Sequence, residues 1–244
     1  KAELETRLNE QEMQNILMKS HLKETQLQAL QSQINPHFIF NTLNAAAQLA
    51  MFEEADRTYL FIECFSNLFR YNLRSLDSPV TLRDEIENIN NYIALLKVRY
   101  ADRINFAQEV DDGVLDIPVP CMVLQPIIEN AFIHGISEIE SGGTITLRVR
   151  DDGDQYTIEV EDNGVGMSKE KIDQILGDSA EDGRPTGYVG HTTGIGTRNV
   201  MLRLRNFFDY EHVLDIVSSR PGGTRVIISI PKICVQRKKE AIHA

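Results

Sequence analysis

The hydrophobic pattern divides the chain into a polar N-terminal stretch, a helical section and a mixed C-terminal half. Residues 1–34 contain no Gly or Pro and carry a narrow apolar stripe, in which Leu27, Leu30 and Ile34 follow heptad a and d spacing. We expect a long helix in a weak coiled coil, because so narrow a stripe leaves a single helix poorly stable. The alternative is an amphipathic helix without a partner.

Two shorter helices are predicted after Pro36. Residues 37–52 and a stretch from residue 57 to about residue 76 have helical composition, and a short acidic break at residues 53–56 separates them. Helices joined by so few residues form an antiparallel hairpin. Such a hairpin has too little surface to bury both apolar faces, so we expect two copies of the chain to form a four-helix bundle. A third helix is predicted over residues 82–100, with Thr81 as its N-cap.

From residue 103 onwards strands and helices alternate. Strands are predicted over residues 103–110, 144–150, 156–161, 213–218 and 224–230, with a hairpin turn at 152–154. Helices are predicted over 118–139 and 195–208. Residues 164–194 are rich in glycine, with one helical island at 169–176, and long loops of this kind usually serve a function. The expected fold class is α+β, with helices layered on a largely antiparallel sheet.

Composition and charge narrow the classes of function. The chain has 244 residues, of which 42% are hydrophobic, and this suits one or two globular domains. Its 25 basic and 36 acidic residues give a formal net charge of -11, which argues against broad binding to nucleic acids or anionic membranes. Three scattered cysteines disfavour a disulfide framework or a structural zinc site and fit a reducing compartment. No apolar run approaches the ~20 residues of a membrane-spanning helix, and the start at Lys1 suggests a piece of a longer protein.

Two motifs in the second half carry polar side chains with candidate chemistry. Asn130 lies on a predicted helix, and its amide oxygen suits Mg²⁺ beside phosphates, although a helix cap or a core hydrogen bond is the simpler interpretation of this residue alone. Asp162 begins the sequence DNGVG at a strand end, where a carboxylate can accept a hydrogen bond from an exocyclic amine. Gly164 and Gly166 would let the backbone approach a flat ring. An ordinary acidic turn is the alternative.

Two glycine motifs accompany them. Gly194-Ile195-Gly196 opens a predicted helix, where exposed backbone amides favour an anion. Gly222-Gly223-Thr224 separates two predicted strands and by itself indicates only a turn.

Together and in this order, the four motifs resemble the N, G1, G2 and G3 boxes of the nucleotide-binding fold shared by gyrase, Hsp90, histidine kinases and MutL. The resemblance covers about residues 103–231 and implies a Bergerat-type α/β sandwich that binds ATP, with residues 167–193 as a lid. It implies Asn130 on Mg²⁺ and Asp162 on the adenine amino group. The full set of residues implied at the nucleotide is Asn130, His134, Asp162, Gly164, Gly166, Thr193, Gly194, Ile195, Gly196, Arg198 and Thr224.

Two positions depart from relatives within this superfamily. The hydrolases carry a water-activating Glu four residues before the Asn, and here that position is Pro126, so a plain ATPase is disfavoured. The lysine usual in the N box of histidine kinases is replaced by Ile133. We expect Arg198 or His134 to supply positive charge instead, and a structural hydrogen bond is an equal alternative for His134.

The sequence Asn35-Pro36-His37-Phe38-Ile39-Phe40-Asn41 holds a candidate nucleophile. Pro36 suits the first turn of a helix, and the neutral imidazole of His37 can attack a γ-phosphorus without a strong base. Asn41 lies one turn later on the same face, where it can orient the ring or the phosphate. By itself the motif fits a helix-start histidine among core phenylalanines. It strongly resembles, however, the NPHFLFN-like phosphoacceptor motif of LytS/YesM-like sensor histidine kinases.

This second resemblance implies the dimeric kinase core of a bacterial two-component system, on the cytoplasmic side of the membrane. His37 would be autophosphorylated with ATP and Mg²⁺ and would pass the phosphoryl group to an aspartate of a response regulator. Glu129 would assist proton removal from His37, with a buried salt bridge as an equal alternative. No nucleic-acid partner is expected, and a membrane or sensory segment would lie upstream.

The corresponding division of the chain is a signalling helix at 1–34, a dimerisation and phosphoacceptor domain at 35–101, an ATP-binding domain at 102–235 and a basic tail at 236–244. Two alternatives from other classes stay open. One is a protein serine kinase with the same ATP-binding fold, and the other is a catalytically weak dimeric scaffold.

Overall fold

The computed structural model describes residues 36–74, 78–100, 103–177 and 195–243. The chain falls into two compact units that divide between residues 62 and 63. The predicted coiled-coil helix and residues 178–193 of the predicted lid lie outside the described residues.

The first unit contains helix α1 (Pro36–Phe52) and the start of helix α2 (Asp56–Asn72). The proline stands at the first helical position, where its missing N–H is not needed. The chain leaves α1 through Glu54, whose φ of 55° places it in the left-handed region. Large apolar side chains stay uncovered in the single chain, with Phe38 68% exposed and Phe52 84% exposed. The two predicted helices and the break between them are confirmed.

The second unit is built on a five-stranded sheet. Its strands are β2 (Ile104–Val110), β4 (Gly143–Asp151), β5 (Gln155–Asp162), β6 (Leu214–Ser218) and β7 (Thr224–Pro231). Across the sheet they lie in the order β2-β4-β5-β7-β6. Strand β2 runs parallel to β4, and every other neighbouring pair is antiparallel. The expected α+β class and largely antiparallel sheet are confirmed.

Helices pack on this sheet around one hydrophobic core. They are α3 (Leu82–Tyr100), α4 (Gln125–Asn130), α5 (Lys169–Leu176), α6 (Ile195–Phe208) and α7 (Lys232–His243). Helix α3 begins with a reciprocal cap, in which Thr81 Oγ1 accepts from the Asp84 amide at 3.2 Å and Asp84 Oδ2 accepts from the Thr81 amide at 3.0 Å. The predicted N-cap is therefore confirmed.

The predicted helix over residues 118–139 is wrong in its first part. Residues Pro118–Pro120 form a short strand, β3, that pairs antiparallel with β1 (Pro79–Thr81). Two prolines disfavour a helix here, because each lacks a backbone donor. The chain then passes through Met122, whose φ is 59°, and α4 begins only at Gln125. Beyond Asn130 the helix widens into π-helical turns over Ala131–Ile136.

Most of the predicted basic tail is part of a helix. Residues 232–243 form α7, a helix that follows β7 directly and buries Cys234 and Val235 in the core. Its basic residues occupy exposed or half-buried positions of a largely polar helix, so their charge alone did not indicate the helix. Across the described part of the chain, no helix has both the length and the apolar character needed to cross a membrane.

Candidate functional site

A cavity of about 420 Å³ lies in the second unit, between the sheet and helices α4, α5 and α6. Five of the predicted nucleotide-site residues line it: Asn130, His134, Asp162, Gly166 and Thr224. Its remaining wall is mostly apolar, with Ile127, Val160 and Val226 among the lining residues. An apolar cleft of this size with a few convergent polar groups suits a small organic ligand.

Asp162 is the buried carboxylate of this cavity. It ends β5, is only 6% exposed, and accepts a hydrogen bond from the Gly164 amide at 2.8 Å. Burial raises the pKa of this carboxyl above its ordinary value, although hydrogen bonds from the backbone of Gly164 and Thr224 oppose the shift. A buried carboxylate needs donors, and an exocyclic amine entering the cavity would supply one. The geometry therefore fits the adenine-binding role that the resemblance implied.

Gly164 and Gly166 hold the loop after β5 close to its neighbours. A Cβ on Gly164 would lie 2.2 Å from the Gly135 carbonyl oxygen, and a Cβ on Gly166 would lie 2.0 Å from the Ser219 carbonyl oxygen. Gly166 also has a φ of 71°, in the left-handed region. Gly164 thus packs behind the cavity wall, whereas Gly166 is part of the wall.

A hydroxyl that the sequence did not single out ties this loop to the turn before β7. Ser218 Oγ accepts from the Met167 amide at 2.7 Å and lies 2.7 Å from the Gly223 carbonyl oxygen and 3.0 Å from Thr224 Oγ1. Arg220 Nε adds a bond to the Gly166 carbonyl oxygen at 3.1 Å. A serine and an arginine beside a glycine turn carry no distinctive pattern, so only the folded backbone reveals this role.

Asn130 lies at the end of α4 and contacts the start of α6. Its Nδ2 donates to Thr197 Oγ1 at 3.0 Å, and a Cβ on Gly196 would lie 3.6 Å from the same nitrogen. Because the amide nitrogen is used in this bond, the carbonyl oxygen is the atom of Asn130 that suits a hard cation. The side chain therefore fits the Mg²⁺ role that the resemblance implied.

The other residues implied at the phosphates differ in their placement. Thr193 and Gly194 lie outside the described residues, and Ile195 is the first residue of α6. Arg198 lies in the first turn of α6 and is not among the residues that line the cavity. Lys171, from α5, does line it, and its position within the predicted lid gave no indication of this contact.

Glu129 lies on a different face of α4 from its neighbour Asn130. It does not line the cavity, and its carboxylate accepts a hydrogen bond from Gln125 Nε2 at 2.8 Å. Gln125 in turn accepts from Asn88 Nδ2, on α3, at 2.7 Å. The expected proton acceptor is thus half-buried and hydrogen-bonded to a neutral amide.

Side chains from α3 and from α6 hydrogen-bond to the backbone just before α4. The Glu85 carboxylate, from α3, accepts from the Tyr71 hydroxyl and from the backbone amides of residues 122–124, the latter at 2.6, 2.9 and 2.8 Å. From α6, Arg203 Nη1 donates to the carbonyl oxygens of Cys121 and Met122 at 2.7 and 3.2 Å. Residues 121–124 lead into α4, and these contacts satisfy their backbone amides and carbonyl oxygens and so hold the start of the helix that carries Asn130.

His37 lies in the other compact unit, in the first turn of α1, where it is exposed. Asn41 Nδ2 is 3.3 Å from His37 Nδ1 and 3.4 Å from His37 Nε2. The predicted placement of these two side chains on one helix face is confirmed. Either ring nitrogen can accept from the amide, depending on the tautomer.

The site and the sheet define the class of ATP-binding domains found in histidine kinases, gyrase B and Hsp90. Residues 116–233 match the family described as "Histidine kinase-, DNA gyrase B-, and HSP90-like ATPase", and residues 25–104 match the family "Histidine kinase". Within that class, the chain belongs to the sensor histidine kinases of the YesM and LytS type. Membership in this family does not favour the two alternative functions, a protein serine kinase and a catalytically weak dimeric scaffold.

Three relatives illustrate the similarity. Sensor histidine kinase YesM of Bacillus subtilis is 31% identical over 225 residues, which cover 92% of this chain and 36% of that protein. Sensor protein LytS of Staphylococcus epidermidis is 31% identical over 222 residues, which cover 89% of this chain and 35% of that protein. The putative uncharacterised protein YwpD of Bacillus subtilis is 30% identical over 225 residues, which cover 89% of this chain and 76% of that protein. The chain thus spans about a third of the length of YesM and LytS.

Proposed function

We propose that this chain is the kinase core of a sensor histidine kinase. It transfers the γ-phosphoryl group of ATP to His37 and from there to an aspartate of a response regulator. The observation that carries this proposal is the occurrence in one chain of an exposed His37–Asn41 pair and a cavity walled by Asp162 and Asn130. The family membership supports the same reading.

In the proposed complex, Asp162 accepts a hydrogen bond from the adenine amino group, and the apolar wall and the Gly166 loop flank the base. Asn130 Oδ1 holds Mg²⁺, which when bound neutralises charge on the triphosphate. His134 and Lys171 line the cavity and supply the positive charge that the N-box lysine would otherwise provide. Ile195, Gly196 and Arg198, at the start of α6, are proposed to contact the phosphates together with Thr193 and Gly194, which lie outside the described residues.

Phosphoryl transfer depends chiefly on position and charge. A neutral ring nitrogen of His37 attacks the γ-phosphorus, an N–P bond forms, and the bond from that phosphorus to the oxygen shared with ADP breaks. The Asn41 amide holds the ring in one orientation. The proton on the second ring nitrogen then leaves, and Glu129 accepts it.

The assembly and the location belong to the same proposal. The apolar side chains left uncovered on α1, among them Phe38 and Phe52, support a homodimeric four-helix bundle. Residues 1–34 act as a coiled-coil signalling helix, 35–101 as the dimerisation and phosphoacceptor domain, 102–235 as the ATP-binding domain, and 236–244 as its basic C-terminal segment. A sensory or membrane segment precedes them, with this core on the cytoplasmic side.

Autophosphorylation with labelled ATP and Mg²⁺ tests the proposal. We expect acid-labile label on His37, and His37→Ala should abolish uptake while leaving ATP affinity unchanged. Acid-stable label would indicate a serine kinase instead. An absence of label despite measurable ATP binding would favour the scaffold.

A further inference from the structure

Arg220 is a cation in the cavity wall that none of the four sequence motifs includes. It lies in the turn between β6 and β7 and lines the cavity together with Asp162 and Gly166. Its Nε donates to the Gly166 carbonyl oxygen at 3.1 Å. The side chain is therefore attached to the loop that follows β5, in the same wall as the buried carboxylate.

The position of Arg220 in the fold places it at the end of the cavity that the proposed function assigns to the base. Asp162 pairs with Thr224 across β5 and β7, and Thr224 comes four residues after Arg220. Gly166, which accepts from Arg220, belongs to the loop directly after Asp162. Asn130, the proposed Mg²⁺ ligand, contacts the start of α6 instead. Arg220 therefore belongs to the base end of the proposed site and not to its phosphate end.

The guanidinium group of Arg220 has donors to spare. It carries five N–H groups, and its bond to Gly166 uses one of them. Among the residues that the structure describes, neither Nη atom has a hydrogen-bond or ion-pair partner. The neighbouring Asp162 carboxylate accepts from the backbone of Gly164 and Thr224 instead. The charge of Arg220 is thus available to a ligand in the cavity.

Burial distinguishes the two sides of the base site. Val160 is 3% exposed and Val226 is 8% exposed, and both line the cavity beside Asp162. Arg220 is exposed and lies at the mouth. A planar guanidinium stacks on aromatic rings, because the negative face of the ring attracts the cation. A ring whose amino group reaches Asp162 would therefore meet hydrocarbon on its inner side and a planar cation on its outer side.

We propose that Arg220 binds the adenine base of ATP by stacking its guanidinium on the outer face of the ring. This inference rests on the proposed function, in which the cavity holds ATP, and it adds a residue to the base site. The bond from Nε to Gly166 holds the guanidinium in place. The contact contributes to the affinity for the base and does not act through the phosphates.

The binding of ATP and of adenosine to the full chain tests this assignment, by competition with a fluorescent nucleotide. Arg220→Met keeps a side chain of similar length and removes the charge. We expect the dissociation constants of both ligands to rise about fivefold, the scale of one cation–π contact. Arg150→Met is the matched control, since Arg150 is exposed on β4 and does not line the cavity. The control should keep both dissociation constants within about twofold of the wild type.

A third ligand, 2-fluoroadenosine, separates a contact with the ring from a merely structural bond to the Gly166 loop. Fluorine withdraws electrons from the ring and so weakens its attraction for a cation. Its effects on fit and on the amino group are common to the wild type and Arg220→Met, so they cancel in the comparison. We expect fluorination to weaken binding about twofold more in the wild type than in Arg220→Met.

Each outcome decides the inference. An equal effect of fluorine in the two proteins would show that Arg220 acts only through the loop, and a loss confined to ATP would place it at the phosphates. Either result, or wild-type affinities in Arg220→Met, would overturn this inference alone. If Arg220→Met does not fold, Arg220→Gln also removes the charge and is judged by the same comparison. A wild-type chain that binds no ATP would overturn the proposed function itself.

Discussion

Replacing Glu85 is expected to destabilise the second unit strongly. The side chain is 0% exposed and accepts from the Tyr71 hydroxyl and from the amides of residues 122–124. Glu85→Ala leaves these amides without an acceptor, and each unsatisfied buried amide costs about 1–3 kcal/mol. Loss of the carboxylate also removes a desolvation penalty, since burial raises the pKa of Glu85. The net loss in the free energy of unfolding should be about 3 kcal/mol.

Milder variants separate the contributions of the individual hydrogen bonds to Glu85. Tyr71→Phe removes one donor and should lower the free energy of unfolding by about 1–2 kcal/mol. Glu85→Gln keeps the shape and can still accept two amides, but its NH₂ group then faces a third, so its effect should lie between the other two. Glu87→Ala, on the exposed face of the same helix, is the control and should stay within about 0.5 kcal/mol of the wild type.

Urea unfolding followed by circular dichroism measures these differences in the free energy of unfolding. Hydrogen exchange shows which backbone amides lose protection. The amides of residues 122–124 should lose protection in Glu85→Ala before the strands of the sheet do, because only their acceptor is removed. ATP affinity should fall with them, since α4 carries Asn130. A Glu85→Ala chain as stable as the Glu87→Ala control, with unchanged exchange at residues 122–124, would refute the reasoning.

Three further variants probe the cavity wall. Asp162→Asn should weaken ATP binding by about 2 kcal/mol, the scale of a hydrogen bond to a charged group, and unchanged affinity in a competition assay with a fluorescent nucleotide would contradict its adenine role. Gly164→Ala should destabilise the chain by about 1–3 kcal/mol, because its Cβ would lie 2.2 Å from a backbone oxygen, whereas Gly113→Ala, with nothing within 4 Å, should not. Ser218→Ala should lower ATP affinity several-fold, with the exposed Ser219→Ala as control, and equal affinities in the two variants would exclude a role for the Ser218 hydroxyl in holding the loop.

Local signals explain which elements could be predicted from the sequence. Helix α3 has a capping threonine and a long apolar period, α5 lies within a glycine-rich segment, and α6 begins where that segment ends, so these limits followed from nearby residues. The pairing of Val80 with Val119 joins two three-residue strands that are far apart in the chain, and such short strands carry no pattern of their own. Helix α7 is too polar to show a helical stripe.

In the candidate site, too, some residues could be predicted from local sequence signals and others could not. Asp162 and Asn130 stand in ordered motifs, so their side-chain chemistry and sequence context were enough to single them out. The Asn88–Gln125 bond depends on where two helices cross, which neither segment specifies locally. Backbone geometry likewise determines the contacts of Ser218 and Arg220. These residues become visible only when distant parts of the chain are brought together by the fold.

The bond between Tyr71 and Glu85 also ties the last turn of helix α2 to helix α3, within the second unit. Helix α2 runs unbroken from the first compact unit to Asn72, with Tyr71 in its last turn. Rotation of this helix about its long axis would carry the tyrosine hydroxyl off the carboxylate. A hydrogen bond to a charged group contributes about 1.5–3 kcal/mol, and a typical coupling energy between two sites is about 1–3 kcal/mol. In the proposed function, a rotation imposed on helix α2 by an upstream signal would have to supply about this energy to break the bond, and breaking it would remove one hydrogen bond from the carboxylate that also holds the amides before α4.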